Sequence, residues 1–216
     1  MTTPPASESV RVRRLPDRGA YDAATIHPIL DEAPFAHVGI TVDGQPFVIP
    51  TIHARIDETL YLHGSPASRL LRTAKGPTRV CVTVSIVDGL VLARSAFHHS
   101  MNYRSVVVLG DAVEVTDEDE KMRAFEALVE QVCPGRWEGC RIPNAKEINR
   151  TLVVKLALTE ASAKVRTGGP VDDAEDLGLD VWAGVVPVSA AFGVAEPATD
   201  LGDGIGLPDH VAALGR

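Results

Sequence analysis

From Phe35 to Val115 the chain alternates short runs rich in β-branched residues with compact turn signals, and few folds accept that order. HVGITV, QPFVIPTIHARI and TLYLH are separated only by Asp43-Gly44 and Asp57-Glu58. Connections that short join antiparallel neighbours, so this stretch reads as a meander. RVCVTVSIV, an Asp88-Gly89 turn, LVLAR and YRSVVVLGDAVEV extend it to about six strands. Pro46 and Pro50 cannot donate to a ladder, which places the second strand at an edge, at a bulge, or with its backbone turned to a ligand.

Helices are few and lie around this β framework. Ile26, Ile29, Leu30 and Ala33 recur at helical spacing between Asp22 and Ala33. Ser65-Pro66 opens a second helix that closes at Lys75-Gly76-Pro77. Thr116 with Asp119 starts a third, whose stripe of Met122, Phe125, Leu128, Val129 and Val132 faces the barrel wall and ends at Cys133-Pro134-Gly135. A helical piece at Ala145 to Asn149 precedes a seventh strand, TLVVKLAL; KVRTGGPVDDAED is a polar connection, and VWAGVVPV is a last strand. Strand-dominated order of this kind favours a small closed barrel with peripheral helices over a parallel α/β sheet. The expected organisation is an N-terminal extension over residues 1–20, one barrel domain over 21–190 and an extended Gly-, Pro- and Asp-rich tail over 191–216.

Composition removes several classes of function. With 21 basic and 29 acidic residues the net charge is -8, and no basic stripe is dense enough to follow a run of phosphates, so nucleic acid is not an expected partner. No apolar run approaches the roughly 20 residues that span a bilayer, and the first residues lack a signal-peptide core; a cytoplasmic protein without a membrane partner is expected. Cys81, Cys133 and Cys140 are odd in number and show no Cys-x-x-Cys spacing, which suits reduced thiols and no zinc framework. There is no Gly-x-Ser-x-Gly elbow, His-Glu-x-x-His or Walker loop.

Two polar stretches carry chemistry. Between Leu90 and Gly110 the chain concentrates Arg94, His98, His99, Asn102, Tyr103 and Arg104 between apolar strands, as a functional site does; the alternative is a solvated crossover. At Ser65 to Arg69 a helix start adds the Ser65 and Ser68 hydroxyls and a guanidinium to unpaired N–H groups, the parts of a phosphate pocket. The alternative there is a simple serine cap with a solvated arginine. Lys164 and Arg166 flank Gly168-Gly169-Pro170 and read as solvated charges, the alternative being a site for an anionic substrate.

The strings GQPFVIPTIHARIDETLYLHGSPASRLL, VCVTVSIVDGLVLARSAFHHSMNYRSVVVLG, PGRW, KVRTGGPVDD and VWAGVVPV resemble the pyridoxamine 5′-phosphate oxidase-like split-barrel flavoproteins. Within them the match is to the branch that includes the nitroimidazole-resistance (Nim) proteins, over about Arg11 to Val188. The resemblance implies a mainly β split barrel forming a homodimer, with FMN in an interface groove contacted by both chains. It maps the cofactor phosphate onto His63, Gly64, Ser65, Ser68 and Arg69, and the next flavin-contacting strand onto Asn102, Tyr103 and Arg104. Arg104 meets either the phosphate or a carboxylate. Thr51 matches the strand lining the isoalloxazine, and Trp182 matches a tryptophan that either covers the flavin or packs.

The flavin ring performs the redox step, so the chain supplies binding, orientation and a proton donor, for which His98, His99 and Tyr103 are the candidates. LPDHVAALGR does not reproduce the Arg-x-His pattern that grips pyridoxamine phosphate, so the expected reaction is reduction of a small electrophile such as a nitro compound by a nicotinamide donor. The rival class is a haem-binding or haem-handling split barrel using His63, His98 or His99 as ligand; a deazaflavin cofactor and a flavin module without turnover complete the alternatives. Charge-assisted phosphate hydrogen bonds contribute on the order of 1.5–3 kcal/mol, so Ser68→Ala with Arg69→Ala is expected to weaken flavin binding at least about tenfold in a fluorescence titration, and unchanged affinity removes the pocket.

Overall fold

A computed structural model describes residues 3–68 and 77–214. The Asp22 carboxylate accepts from the Thr25 N–H at 2.8 Å and starts α1 (Ala23–Glu32), which turns Ile26, Ile29 and Leu30 inward as their spacing predicts. β2 (Ala36–Val42) and β3 (Gln45–Thr51) follow a two-residue β1 (Gly19–Ala20). Val42 faces Gln45 across a turn in which Asp43 and Gly44 both have positive φ, 51° and 78°, the backbone twist a tight hairpin requires. Among the described residues β3 pairs only with β2, so Pro46 and Pro50 sit on an edge strand.

The predicted single strand QPFVIPTIHARI is interrupted at Ile52: β3 ends at Thr51 and β4 (His53–Ile56) turns away to pair with β5 (Thr59–Gly64). A larger correction concerns Asp88-Gly89, which is not a turn. β6 runs unbroken from Thr78 to Leu92 against β7 (Ser100–Glu114), with a β-bulge between Val87 and Gly89. A Cβ on Gly89 would lie 3.0 Å from Val185 Cγ1 and 3.2 Å from the Val186 carbonyl, so glycine is there for a neighbouring strand. That neighbour is β10 (Gly184–Pro187), shorter than the predicted VWAGVVPV.

β8 (Leu152–Ala157) is the expected seventh strand. KVR, expected in a polar connection, instead ends β9 (Ala161–Arg166), which pairs with β7 and β1. Strands order as β3-β2-β6-β7-β8-β5-β4, and β7 divides its free edge between β9 along its first half and β8 at Val113 and Glu114. This division is what makes the barrel split. Alternate residues Val38, Ile40, Leu60, Leu62, Val80, Val82, Val84, Val106, Val108 and Leu156 fill it, and α1 packs its buried residues into the same core.

α2 (Glu118–Val132) is capped by Asp117, not Thr116: the Asp117 carboxylate accepts from the Glu120 N–H at 2.7 Å. Its base is tied to the sheet by Glu120, which accepts from the Tyr61 hydroxyl at 2.9 Å and from Lys155 Nζ at 2.7 Å. Burial and then Glu120 push the Tyr61 phenol up to about 12. α3 (Ala145–Arg150) opens on an Asn144–Glu147 capping box. The tail contains α4 (Asp209–Ala212), which brings His210 against Gly135 and Gly139. The three cysteines are free, and no described helix is long and apolar enough to cross a membrane.

His53, 0% exposed, bonds through Nε2 to the Leu30 carbonyl at 2.8 Å and so ties β4 to the last turn of α1. Burial holds its pKa below the ordinary histidine value. Below about pH 6.5 the unfolded chain takes a proton that the native site refuses, so stability falls with falling pH, by up to about 1.4 kcal/mol per pH unit. Urea denaturation of His53→Gln, which keeps a donor for Leu30, is expected to show a shallower fall between about pH 6.5 and 5.5. By the same assay Leu62→Ala is expected to lower unfolding free energy by about 2–5 kcal/mol.

Candidate functional site

The predicted site residues separate into two groups at opposite ends of the β6–β7 hairpin. Thr51, His63, Gly64 and Ser65 share one corner, because Ile52, next to Thr51, and His63, next to Gly64 and Ser65, line the same groove. β8 carries this corner to the Thr78/Glu114 end of the hairpin, with Val153 opposite His63 and Val154 opposite Glu114. His98, His99, Asn102 and Tyr103 lie at the other end, around the short turn Ala96–His98.

The corner contains an apolar groove of about 250 Å³. Ile52 forms one side, and Phe125, Leu128, Val129 and Val132 of α2 form the other, with His63 and Arg136 as polar members. His63 Nδ1 is buried without a hydrogen-bond partner. Burial also holds the imidazole below its ordinary pKa, so it is neutral at pH 7 and keeps a lone pair. A neutral imidazole in an apolar wall suits a soft or borderline metal centre carried by a flat apolar cofactor, and the residues fit a haem iron ligand. At about 250 Å³ the groove falls below the roughly 300–1,000 Å³ of a complete ligand site. Larger hollows under the N-terminal segment and within the tail contain no histidine or cysteine.

Beside the groove, Ser65 Oγ accepts from the Ala67 N–H at 3.2 Å and the Ser65 carbonyl accepts from the Ser68 N–H at 2.8 Å, a turn at the expected phosphate position. Arg69 and the rest of the expected helix to Lys75-Gly76 lie outside the described residues. Thr51 Oγ1 donates to the Ile52 carbonyl at 3.4 Å.

Elsewhere the predicted residues have other partners. Arg104 turns to carboxylates: its guanidinium binds Asp88 at 2.7 Å and both Glu32 oxygens, joining the bulge of β6 to α1. These bonds raise the Arg104 pKa, Glu32 contributing most, and hold Glu32 below the carboxylate range. Asn102 donates to the Gly168 carbonyl at 3.1 Å and accepts from Arg166 Nη1. Arg166, expected to be solvated, is 6% exposed and also donates to the Gly168 and Gly169 carbonyls. His98 Nε2 meets Asp173 Oδ2 at 3.1 Å, and His99 Nδ1 meets the Ser95 carbonyl at 3.0 Å. Trp182 is 65% exposed, with its ring over Gly184.

Sequence reasoning missed the groove walls. The α2 stripe is wider than its packing needs, since only Ala124 and Leu128 of that helix are buried, and this surplus was the available signal. It also missed Arg166, for which the local sequence holds no signal.

The family model described as Pyridoxamine 5′-phosphate oxidase matches residues 22–165. The chain is similar to the flavocytochrome Anf3 from Azotobacter vinelandii, with 40% identity and a TM-score of 0.92 over 98% of this chain and 99% of that one. It is similar to the FAD and haem binding protein from Mycobacterium smegmatis, with 32% identity and a TM-score of 0.87 over 92% and 97% of the two chains. A protein assigned to 5-nitroimidazole antibiotic resistance in Bacteroides thetaiotaomicron shares the fold at 24% identity and a TM-score of 0.58, over 68% of this chain and 86% of that one. No curated protein matches the chain. The split barrel, its strand order and these likenesses together place the chain in the pyridoxamine 5′-phosphate oxidase family.

Proposed function

We propose that the chain is a redox protein that binds a flavin and a haem, with His63 as an iron ligand. The observation that carries this reading is the neutral imidazole of His63 in an apolar groove, its Nδ1 buried without a partner. It is supported by the names of the two relatives that cover nearly the whole chain, a flavocytochrome and an FAD and haem binding protein. The flavin belongs to the adjoining corner of Thr51, Gly64, Ser65 and Ser68, where the turn at Ser65 offers a hydroxyl donor to a phosphate; FMN and FAD both present one.

When bound, the flavin supplies two-electron exchange with a nicotinamide donor and the haem supplies one-electron exchange. The chain's own residues do the remaining work. Burial keeps His63 unprotonated, so that its lone pair is available to a metal near neutral pH. Phe125, Leu128 and Val129 exclude water from that groove, and Arg136 at its polar side offers a guanidinium to an acidic substituent. The reaction class that fits is reduction of a small electrophile, with nitro compounds as the first substrates to assay. Within one chain His98, His99 and Tyr103 lie at the far end of the long hairpin from His63. A homodimer, as the incomplete groove and the exposed Phe97 (88%) and Trp182 suggest, is the arrangement that lets them serve as proton donors at a partner's site.

Absorption spectra of the purified chain, as isolated and after incubation with FMN, FAD or haemin and removal of unbound cofactor, test the reading. Retained flavin bands and a Soret band are expected. His63→Ala is expected to lose or shift the Soret band while keeping the flavin. A Soret band unchanged in His63→Ala removes this ligand assignment, and retention of neither cofactor removes the function. Light scattering is expected to give a dimer at micromolar concentration; a monomer that binds both cofactors fully contradicts the shared groove.

A further inference from the structure

The tip of the β6–β7 hairpin presents a second cluster, of which the function proposed above uses only His98. His98, Asp173 and Asp176 come from two short turns, Ala96–His98 and Ala174–Asp176 with its preceding residue, far apart in sequence. One ligand atom from each lies within 4.8 Å of the other two.

Neither turn contains a buried residue, so apolar packing does not account for their meeting. A polar clamp does. Asp172, whose side chain is 1% exposed, accepts from the Arg94 backbone N–H and from Arg94 Nη1, each at 2.8 Å. That pair fixes the residue directly before Asp173 to the segment between the end of β6 and the His98 turn. Ser95 accepts from the Phe97 N–H at 3.3 Å and shapes the turn, and the Phe97 ring meets the His98 ring edge-on with centroids 5.2 Å apart. The ligand-bearing segments are therefore held in place by groups that are not themselves ligands, the arrangement that supports a metal site.

We propose that His98, Asp173 and Asp176 form a site for a divalent first-row transition ion, with zinc as the probe. Atoms at about 2.0–2.2 Å from one tetrahedral ion stand roughly 3.3–3.5 Å apart, so small side-chain rotations close the observed cluster around it. One imidazole nitrogen and two carboxylate oxygens suit zinc, cobalt or nickel better than calcium or magnesium, which take oxygen ligands in larger number. The side chains of His98 and Asp173 are 22% and 69% exposed, leaving an entry path and room for a coordinated water. The ion would displace the His98–Asp173 hydrogen bond and join the hairpin tip to the segment leading into β10.

Equilibrium dialysis of the full chain against zinc chloride, followed by elemental analysis, tests the site. One zinc per chain is expected, with half-saturation in the micromolar range. His98→Ala and Asp176→Asn are each expected to weaken binding at least about tenfold, while His37→Ala leaves it unchanged. At a hundredfold excess over half-saturation, zinc is expected to raise the thermal midpoint by about 5 °C in the wild type and not in His98→Ala. Absence of saturable stoichiometric binding overturns the proposal, as does an affinity unchanged by His98→Ala and Asp176→Asn.

Discussion

Continuous pairing between β6 and β7 is the constraint on which the other strands depend. β2 and β10 add to β6, while β8 and β9 add to β7; β3, β5, β4 and β1 then attach through those four. The hairpin does not rely on hydrogen bonding alone, because Arg104 of β7 ties the Asp88 bulge of β6 to Glu32 at the end of α1. This network fastens the helix that plugs the core to the two strands that build it. It is partly solvated, so its main contribution is orientation rather than stability.

The same hairpin separates two chemical environments. At the Thr78/Glu114 end, apolar side chains of α2 and Ile52 surround a histidine kept neutral by burial. At the tip, Arg94, Asp172, Asn102 and Arg166 engage one another and nearby carbonyls, and the histidines face carboxylate or carbonyl oxygen. An imidazole in the first setting offers a lone pair to something apolar. In the second it competes for partners with water and with charge.

Alternation made much of the barrel legible: HVGITV and RVCVTV each place every second residue inward, and a one-residue slip would expose the whole set, whereas TLYLH is buried on both faces, Leu60 and Leu62 in the barrel core and Tyr61 in a second cluster. Asp88-Gly89 misled because its local chemistry is that of a turn, whereas the unbroken partner strand β7 decides the outcome. β9 was hidden for a different reason. Ala161, Ser162 and Ala163 are buried but small, so the strand lacks the hydrophobic signal its position warrants. At the candidate site His63 was singled out through the family resemblance, as a phosphate neighbour or a haem ligand, and its unpartnered Nδ1 depends on packing that no local pattern shows. The partners of Arg94 and His98, Asp172 and Asp173, lie more than 70 residues further on, beyond any local pattern.

The bulge at Asp88 also changes the parity of β6. Before it the inward residues are even-numbered, Val80, Val82 and Val84; after it they are odd-numbered, Val91 and Ala93. β7 has no matching insertion and stays even throughout, from Val108 and Val106 to Asn102. One extra residue thus acts as a frame shift in three dimensions, letting a sequence whose apolar residues change phase present one continuous face. Were Asp88 to enter the ladder opposite Asn102, Val91 would turn outward, exchanging inside for outside along the last strand segment that β10 covers, whereas deleting Asp88 would straighten the ladder and leave Val91 inward.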